Sequence, residues 1–149
     1  MQCHYVSNYK YNQNNEIMRE IRYRGIGIAE RKWVFGSLWF DTRNKATLIW
    51  SEELKYWVRV DPATVGQYTG LKDEHGKEIY EGDVIRSPLS EDKTRPHRIF
   101  YHTGNAAFMG ALVDRKELCY LRLDQDWIYK FGKEVIGNIH DNPELLKNE

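Results

Sequence analysis

A mostly β domain with little helix is the fold class this sequence predicts, and three observations predict it. Short stretches with alternating or continuous apolar residues follow one another closely from residue 20 to residue 139. Turn chemistry built from Gly, Asp, Asn and Pro separates them. Few stretches carry the 3.6-residue period of an amphipathic helix. The 149 residues are 41% hydrophobic, which is enough for one packed domain and excludes a disordered chain.

The elements read as follows. Met1–Ile17 carries Gln2, Asn8, Asn12, Gln13, Asn14 and Asn15 among scattered tyrosines. It has no sustained apolar period and reads as a flexible N-terminal arm, residues 1–17, ahead of a single β domain over 18–149. Met18 is an alternative start, with the arm a misassigned extension; the intact mass of the native protein tests this. Glu20–Arg24 alternates, placing Ile21 and Tyr23 on one face and Arg22 and Arg24 on the other. Lys32–Phe40 is apolar on both faces, as in a strand covered on both sides, with Gly36 marking a bulge or a close backbone approach. Asp41–Asn44 turns the chain into a strand over Ala46–Trp50, making a hairpin. Ser51 can cap one helical turn, and Tyr56–Val60 alternates again.

Thr64–Leu71 and Lys77–Tyr80 flank the turn Lys72–Gly76, where Gly76 is the candidate for positive φ. Glu81-Gly82-Asp83 turns the chain into Val84–Ser87. Pro88–Pro96 reads as an exposed loop, and strands follow at Arg98–His102, Ala106–Val113 and Leu118–Leu123. Trp127–Phe131 fits strand and helix equally. Glu134–Ile139 is a last strand, and Asn142-Pro143 opens a short terminal helix.

Three stretches carry a family resemblance. Val60–Ile85, VDPATVGQYTGLKDEHGKEIYEGDVI, follows nearly throughout a run of the form V-x-P-x-T-V-G-Q-Y/F-T-G-L-x-D-x-x-G-x-x-I-Y-E-G-D-V/I. Met18–Gly25 with Lys32–Gly36, and Glu134–Leu146 (EVIGNIHDNPELL), add an opening and a closing signature. Together they resemble the YopX-type family of phage and prophage proteins. The resemblance implies coiled small sheets with an SH3-like partial barrel, and a phage or prophage protein in the cytoplasm of a bacterial host. It implies no catalytic residues. Its matched positions, among them Gly66, Gly70, Gly76, Gly82 and Asp83, are turn and core types, and they read as a structural motif.

Charge and spacing limit the chemistry. Lys+Arg and Asp+Glu number 22 each, and the isoelectric point is about 7.0, which argues against coating nucleic acid by bulk charge. The longest apolar runs, Trp33–Phe40 and Ala106–Val113, are too short to span a membrane, and the first 17 residues hold no apolar signal core. Cys3 and Cys119 make no disulfide framework, which fits a reducing compartment. No Cys-x-x-Cys or His-x₃-His pair is present, so no metal site is expected. His97 and His102, five apart, fall on opposite faces of a strand. Asp124 and Asp126 lack companions for two-metal chemistry, and no serine has an elbow context.

Neither an enzyme nor a bound cofactor is therefore expected. A non-enzymatic module that binds a host or phage protein leads, since its many aromatic residues suit an interface. An exposed strand edge would also allow a homo-oligomer. Nucleic-acid binding is the alternative, with Arg22, Arg24, Arg95 and Arg98 as contacts beside stacking aromatics.

Overall fold

The structure, a computed structural model of the chain, describes residues 10–11, 13, 17–88, 95–113 and 120–146. Among them the chain forms strands β1 (Lys10–Tyr11), β2 (Ile17–Met18), β3 (Tyr23–Ile26), β4 (Trp33–Asp41), β5 (Ala46–Ser51) and β6 (Trp57–Arg59). There follow β7 (Gly66–Lys72), β8 (Glu78–Tyr80), β9 (Asp83–Arg86), β10 (His97–His102), β11 (Ala107–Leu112), β12 (Tyr120–Arg122) and β13 (Glu134–Asn138). One α-helix, α1 (Gln125–Lys130), lies between β12 and β13, and a 3₁₀ turn, Pro143–Leu146, forms the short terminal helix. The protein is mostly β, as its patterning predicts.

The strands build a six-stranded sheet in the order β6-β5-β4-β3-β7-β8 and a five-stranded sheet in the order β12-β11-β10-β9-β13. Every ladder among the described residues is antiparallel. Among the described residues the sheets do not close into a barrel, in keeping with a partial barrel. The chain passes from one sheet to the other at Glu81-Gly82, between β8 and β9. That turn is tied down by Gly82 N–H to Ile99 O at 2.9 Å and Ile139 N–H to Gly82 O at 2.9 Å.

Two apolar clusters follow from this path. Val34, Ile49 and Val60 pack with Tyr23, Val58 and Val65 under β3–β6. Ile79, Ile85, Ile99, Leu123 and Ile128 pack with Leu71, Phe108, Trp127 and Val135. The second cluster takes Leu71 and Ile79 from the six-stranded sheet and the rest from the five-stranded sheet and α1, so burial of these side chains joins the two sheets.

At the end of the segment set apart as an arm, a small ladder sets Lys10 opposite Met18 and Tyr11 opposite Ile17, and of the rest of that segment only residue 13 is among the described residues. Other sequence expectations need correction. The strand expected over 20–24 begins only at Tyr23, and Ile21 is exposed. β4 is not covered on both faces along its length: Val34 is buried, whereas Trp39 and Phe40 are exposed, because no described element covers the outer half of the β4–β5 hairpin. Trp127 lies in α1, where the Asp124 carboxylate accepts the Trp127 N–H at 2.8 Å. Asp124 is thus a helix cap, the role short acidic side chains fill well. The 88–96 loop is described only at its ends.

Candidate functional site

The three signature stretches converge on one cluster where the sheets meet. β3 brings Arg24, β4 brings Trp33, the β8–β9 turn brings Tyr80, Glu81 and Asp83, and the segment after β13 brings His140 and Asp141. Arg24 donates from Nη2 to Asp83 Oδ1 at 2.6 Å and to Glu81 O at 3.2 Å. Its guanidinium carbon lies 4.6 Å from the Trp33 ring centre and 4.9 Å from that of Tyr80, so two π faces hold the cation. Asp83 Oδ2 accepts the Tyr80 N–H at 2.8 Å. The pair is almost wholly buried, Arg24 at 7% exposed and Asp83 at 1%. Burial pushes the Asp83 carboxyl above the ordinary range, with Arg24 opposing.

The outer part of the cluster is polar. Trp33 Nε1–H donates to Asp141 Oδ2 at 2.7 Å and Asn138 Nδ2–H to the same oxygen at 2.8 Å. These bonds, the one from Asn138 foremost, hold the Asp141 carboxyl below its ordinary value. Burial, and then the Arg24 charge, holds the His140 imidazole below its own. Every charged group here has a partner inside the protein, which makes the cluster a brace between the sheets.

The four arginines singled out in the sequence do not form one cationic surface. Arg24 is interior, because the face opposite Tyr23 packs at the sheet junction and not against solvent. Arg22 is enclosed by acids: Nη2 meets Glu52 Oε2 at 2.6 Å and Nη1 meets Glu78 Oε1 at 2.7 Å. Arg98 is exposed on β10 beside Phe100, and Arg95 lies just before that strand, half-buried in the wall of a cavity. Of the structural motif, Gly70, Gly76 and Gly82 have φ of +84°, +83° and +86°. Gly66 passes so close to the β8–β9 turn that a Cβ would lie 2.6 Å from Glu81 O.

One exposed feature is aromatic. On β4, β5 and β6 the register sets Ser37 opposite Trp50, Trp39 opposite Leu48, and Trp50 opposite Trp57. Alternation therefore puts Trp39, Trp50 and Trp57 on one sheet face. Trp57 lies 5.5 Å from Trp39 and 5.6 Å from Trp50, centre to centre. The three are 51%, 36% and 43% exposed. Leu38 and Phe40 are exposed on the reverse face, and β6 is an edge strand. Sequence reasoning missed this face because it took the apolar run in β4 as covered on both sides; the alternation at Trp50 and Trp57 was the signal available.

One trio of metal-ligating residue types stands together among the described residues, Glu74, His75 and Glu134. His75 Nε2 lies 3.3 Å from Glu74 Oε1 and 3.4 Å from Glu134 Oε2, and Arg86 reaches Glu134 at 3.7 Å. The His75 imidazole beside Glu74 and Glu134, and the Arg86 guanidinium beside Glu134, make this a surface polar network.

Comparison with known proteins agrees with the fold. The crystal structure of protein EF1440 from Enterococcus faecalis is similar, with a TM-score of 0.57 and 26% sequence identity; the match covers 87% of this chain and 100% of that chain. Comparison with curated proteins gives no match. The family described as YopX protein matches residues 3–147, a span that takes in the brace and the tryptophan face and reaches upstream of Met18. The chain belongs to the YopX protein family.

Proposed function

We propose that this chain is a non-enzymatic phage or prophage accessory protein that acts in the bacterial cytoplasm by binding a host or phage protein through the Trp39–Trp50–Trp57 face. The observation that carries this reading is the exposure of three contacting indoles on one sheet face. Exposed apolar patches of this kind mark interaction sites, and tryptophan is the residue most enriched where binding energy concentrates. The brace supports a scaffold role for the rest of the molecule, since its charges are spent on each other.

The nucleic-acid reading draws less support. Arg22 is neutralised by Glu52 and Glu78, and Arg24 is buried against Asp83, so neither offers a phosphate contact or releases counterions. The test is capture from lysate of a prophage-bearing host with tagged wild type and with a Trp39→Ser, Trp50→Ser, Trp57→Ser variant of unchanged melting temperature, each with and without nuclease. A stoichiometric protein that survives nuclease and is lost with the variant is expected. Retention by the variant sinks the tryptophan face, and loss on nuclease treatment alone transfers the reading to nucleic acid.

A further inference from the structure

Independent of the tryptophan face, the trio Glu74, His75 and Glu134 stands at the far end of the β9–β13 ladder from the brace. That ladder sets Asn138 opposite Asp83 at the brace end and Glu134 opposite Arg86 at the other. Glu74 and His75 come from the β7–β8 turn of the six-stranded sheet, whereas Glu134 opens β13 of the five-stranded sheet. The turn is locked onto that strand through Asp73, which is 2% exposed. Asp73 Oδ1 accepts the N–H groups of His75 and Lys77, both at 2.9 Å, and Oδ2 accepts Val135 N–H at 3.1 Å. Glu74 N–H reaches across to Lys133 O at 3.0 Å. These backbone bonds hold together the points from which the three side chains start.

The three ligand atoms stand at coordination spacing. His75 Nε2 lies 3.3 Å from Glu74 Oε1 and 3.4 Å from Glu134 Oε2, and all three atoms lie within 4.8 Å of one another. Good N–H···O bonds run about 2.7–3.2 Å, so both contacts are long for hydrogen bonds. A tetrahedral zinc ion, with nitrogen at about 2.0–2.1 Å and oxygen at about 2.0–2.2 Å, separates neighbouring ligand atoms by roughly 3.4 Å. Arg86 Nη2 meets the other oxygen of Glu134, Oε1, at 3.7 Å, which leaves Oε2 to face the imidazole. Lys133, the residue before Glu134, turns its Nζ to the Trp127 ring, 4.4 Å from the ring centre. Two carboxylates against one guanidinium leave a net negative charge, which a divalent cation offsets. An imidazole nitrogen beside carboxylates suits zinc, whereas Mg²⁺ and Ca²⁺ take oxygen ligands.

We propose that Glu74, His75 and Glu134 bind one zinc ion, with water in the fourth position, and that the ion staples the β7–β8 turn to β13. The fourth position faces solvent, since the His75 side chain is 65% exposed. The staple ties the two sheets at the end that the brace does not reach. An ion that binds only where the turn meets the strand stabilises the folded chain.

The experiment uses the full chain, stripped with chelator and then titrated with zinc chloride in calorimetry and in thermal unfolding. One zinc per chain is expected, with a melting temperature that rises with zinc concentration and does not rise with the same concentration of magnesium chloride. His75→Gln and Glu134→Gln should each weaken zinc by about a hundredfold or more, since losing even an outer supporting residue costs about 10–100-fold. Because His75 is exposed, His75→Gln should melt at the wild-type temperature in chelator, which separates loss of the ion from loss of the fold. Replacing Cys3 and Cys119 by serine removes the thiols, the rival zinc ligands of the chain, and should leave the affinity unchanged. No zinc binding at millimolar concentration overturns the proposal. So does wild-type affinity in either trio variant, or a cysteine variant that folds but no longer binds. Zinc binding that leaves the melting temperature unmoved, or magnesium that raises it equally, overturns it as well.

Discussion

Arg24 sets the energetics at the residue scale. A buried ion pair is dear to assemble, and removing one partner strands the other charge, at about 3–5 kcal/mol. Arg24→Met and Asp83→Leu should each lower unfolding free energy by about that amount in urea titration. The double variant should lose clearly less than the sum, since it leaves no stranded charge; additive losses would show that the two residues do not act as a pair. Two glycines are required for different reasons. At Gly36 a Cβ would lie 1.8 Å from Trp50 O, so Gly36→Ala must shift β4 from β5. At Gly76 the surrounding space is open and only the φ of +83° resists a side chain. Gly76→Val should therefore lower stability by about 1–2 kcal/mol, and Gly76→Asn by less, since asparagine tolerates the left-handed region. Equal melting temperatures for the two variants would refute the backbone explanation.

Elements show where the sequence is legible. The β4–β5 hairpin could be read directly, because Asp41-Thr42-Arg43-Asn44 carries turn chemistry and Asp41 accepts from Arg43 N–H at 3.0 Å and Asn44 Nδ2–H at 2.7 Å. The alternation of Arg22 with Tyr23 was legible too, but not which face met solvent. That depended on Asp83, 59 positions away, and no local pattern carries such information. The double-sided apolar run of β4 illustrates the same limit. Its inner half is covered on one face by Val60 and Ile49 and on the other only at Trp33, which meets the brace, while Phe35 and the outer Trp39 face solvent. Residues 125–130 are too short for periodicity to decide, and the Asp124 cap settles them as helix. Asp124→Ala should cost about 1 kcal/mol of stability, measured by thermal unfolding, with Asp124→Asn nearly neutral. If Asp124→Asn costs as much as Asp124→Ala, capping is not what the residue contributes. The tryptophan face and the Glu74–His75–Glu134 trio arise from register and contact between strands, which sequence patterning does not specify.

The molecule as a whole should be acid-sensitive through the brace. His140 is held below its ordinary value by burial and by Arg24. In the window between that lowered value and the unfolded value of about 6.5 the unfolded chain binds more protons, so stability rises with pH and is lost as pH falls. Asp141, held down by Asn138 and Trp33, adds a second loss below about pH 4 as its carboxylate is protonated. His140→Gln should flatten the fall in urea midpoint between about pH 7.5 and pH 5.5 while leaving the steeper acid limb in place. An unchanged profile would place the sensitivity in other histidines.

The bond from Trp33 to Asp141 joins positions 108 residues apart. At synthesis rates of about 5–20 residues per second, the C-terminal partner leaves the ribosome roughly 5–20 s after the indole it must meet. Throughout that interval the six-stranded sheet can assemble only with its junction open, its charged and aromatic members exposed beside an already exposed tryptophan face. The nascent chain therefore passes through a stage whose sticky surface exceeds that of the finished protein. Slower elongation lengthens that stage, so yield of folded protein should track chaperone supply more closely than it tracks the stability of the completed fold.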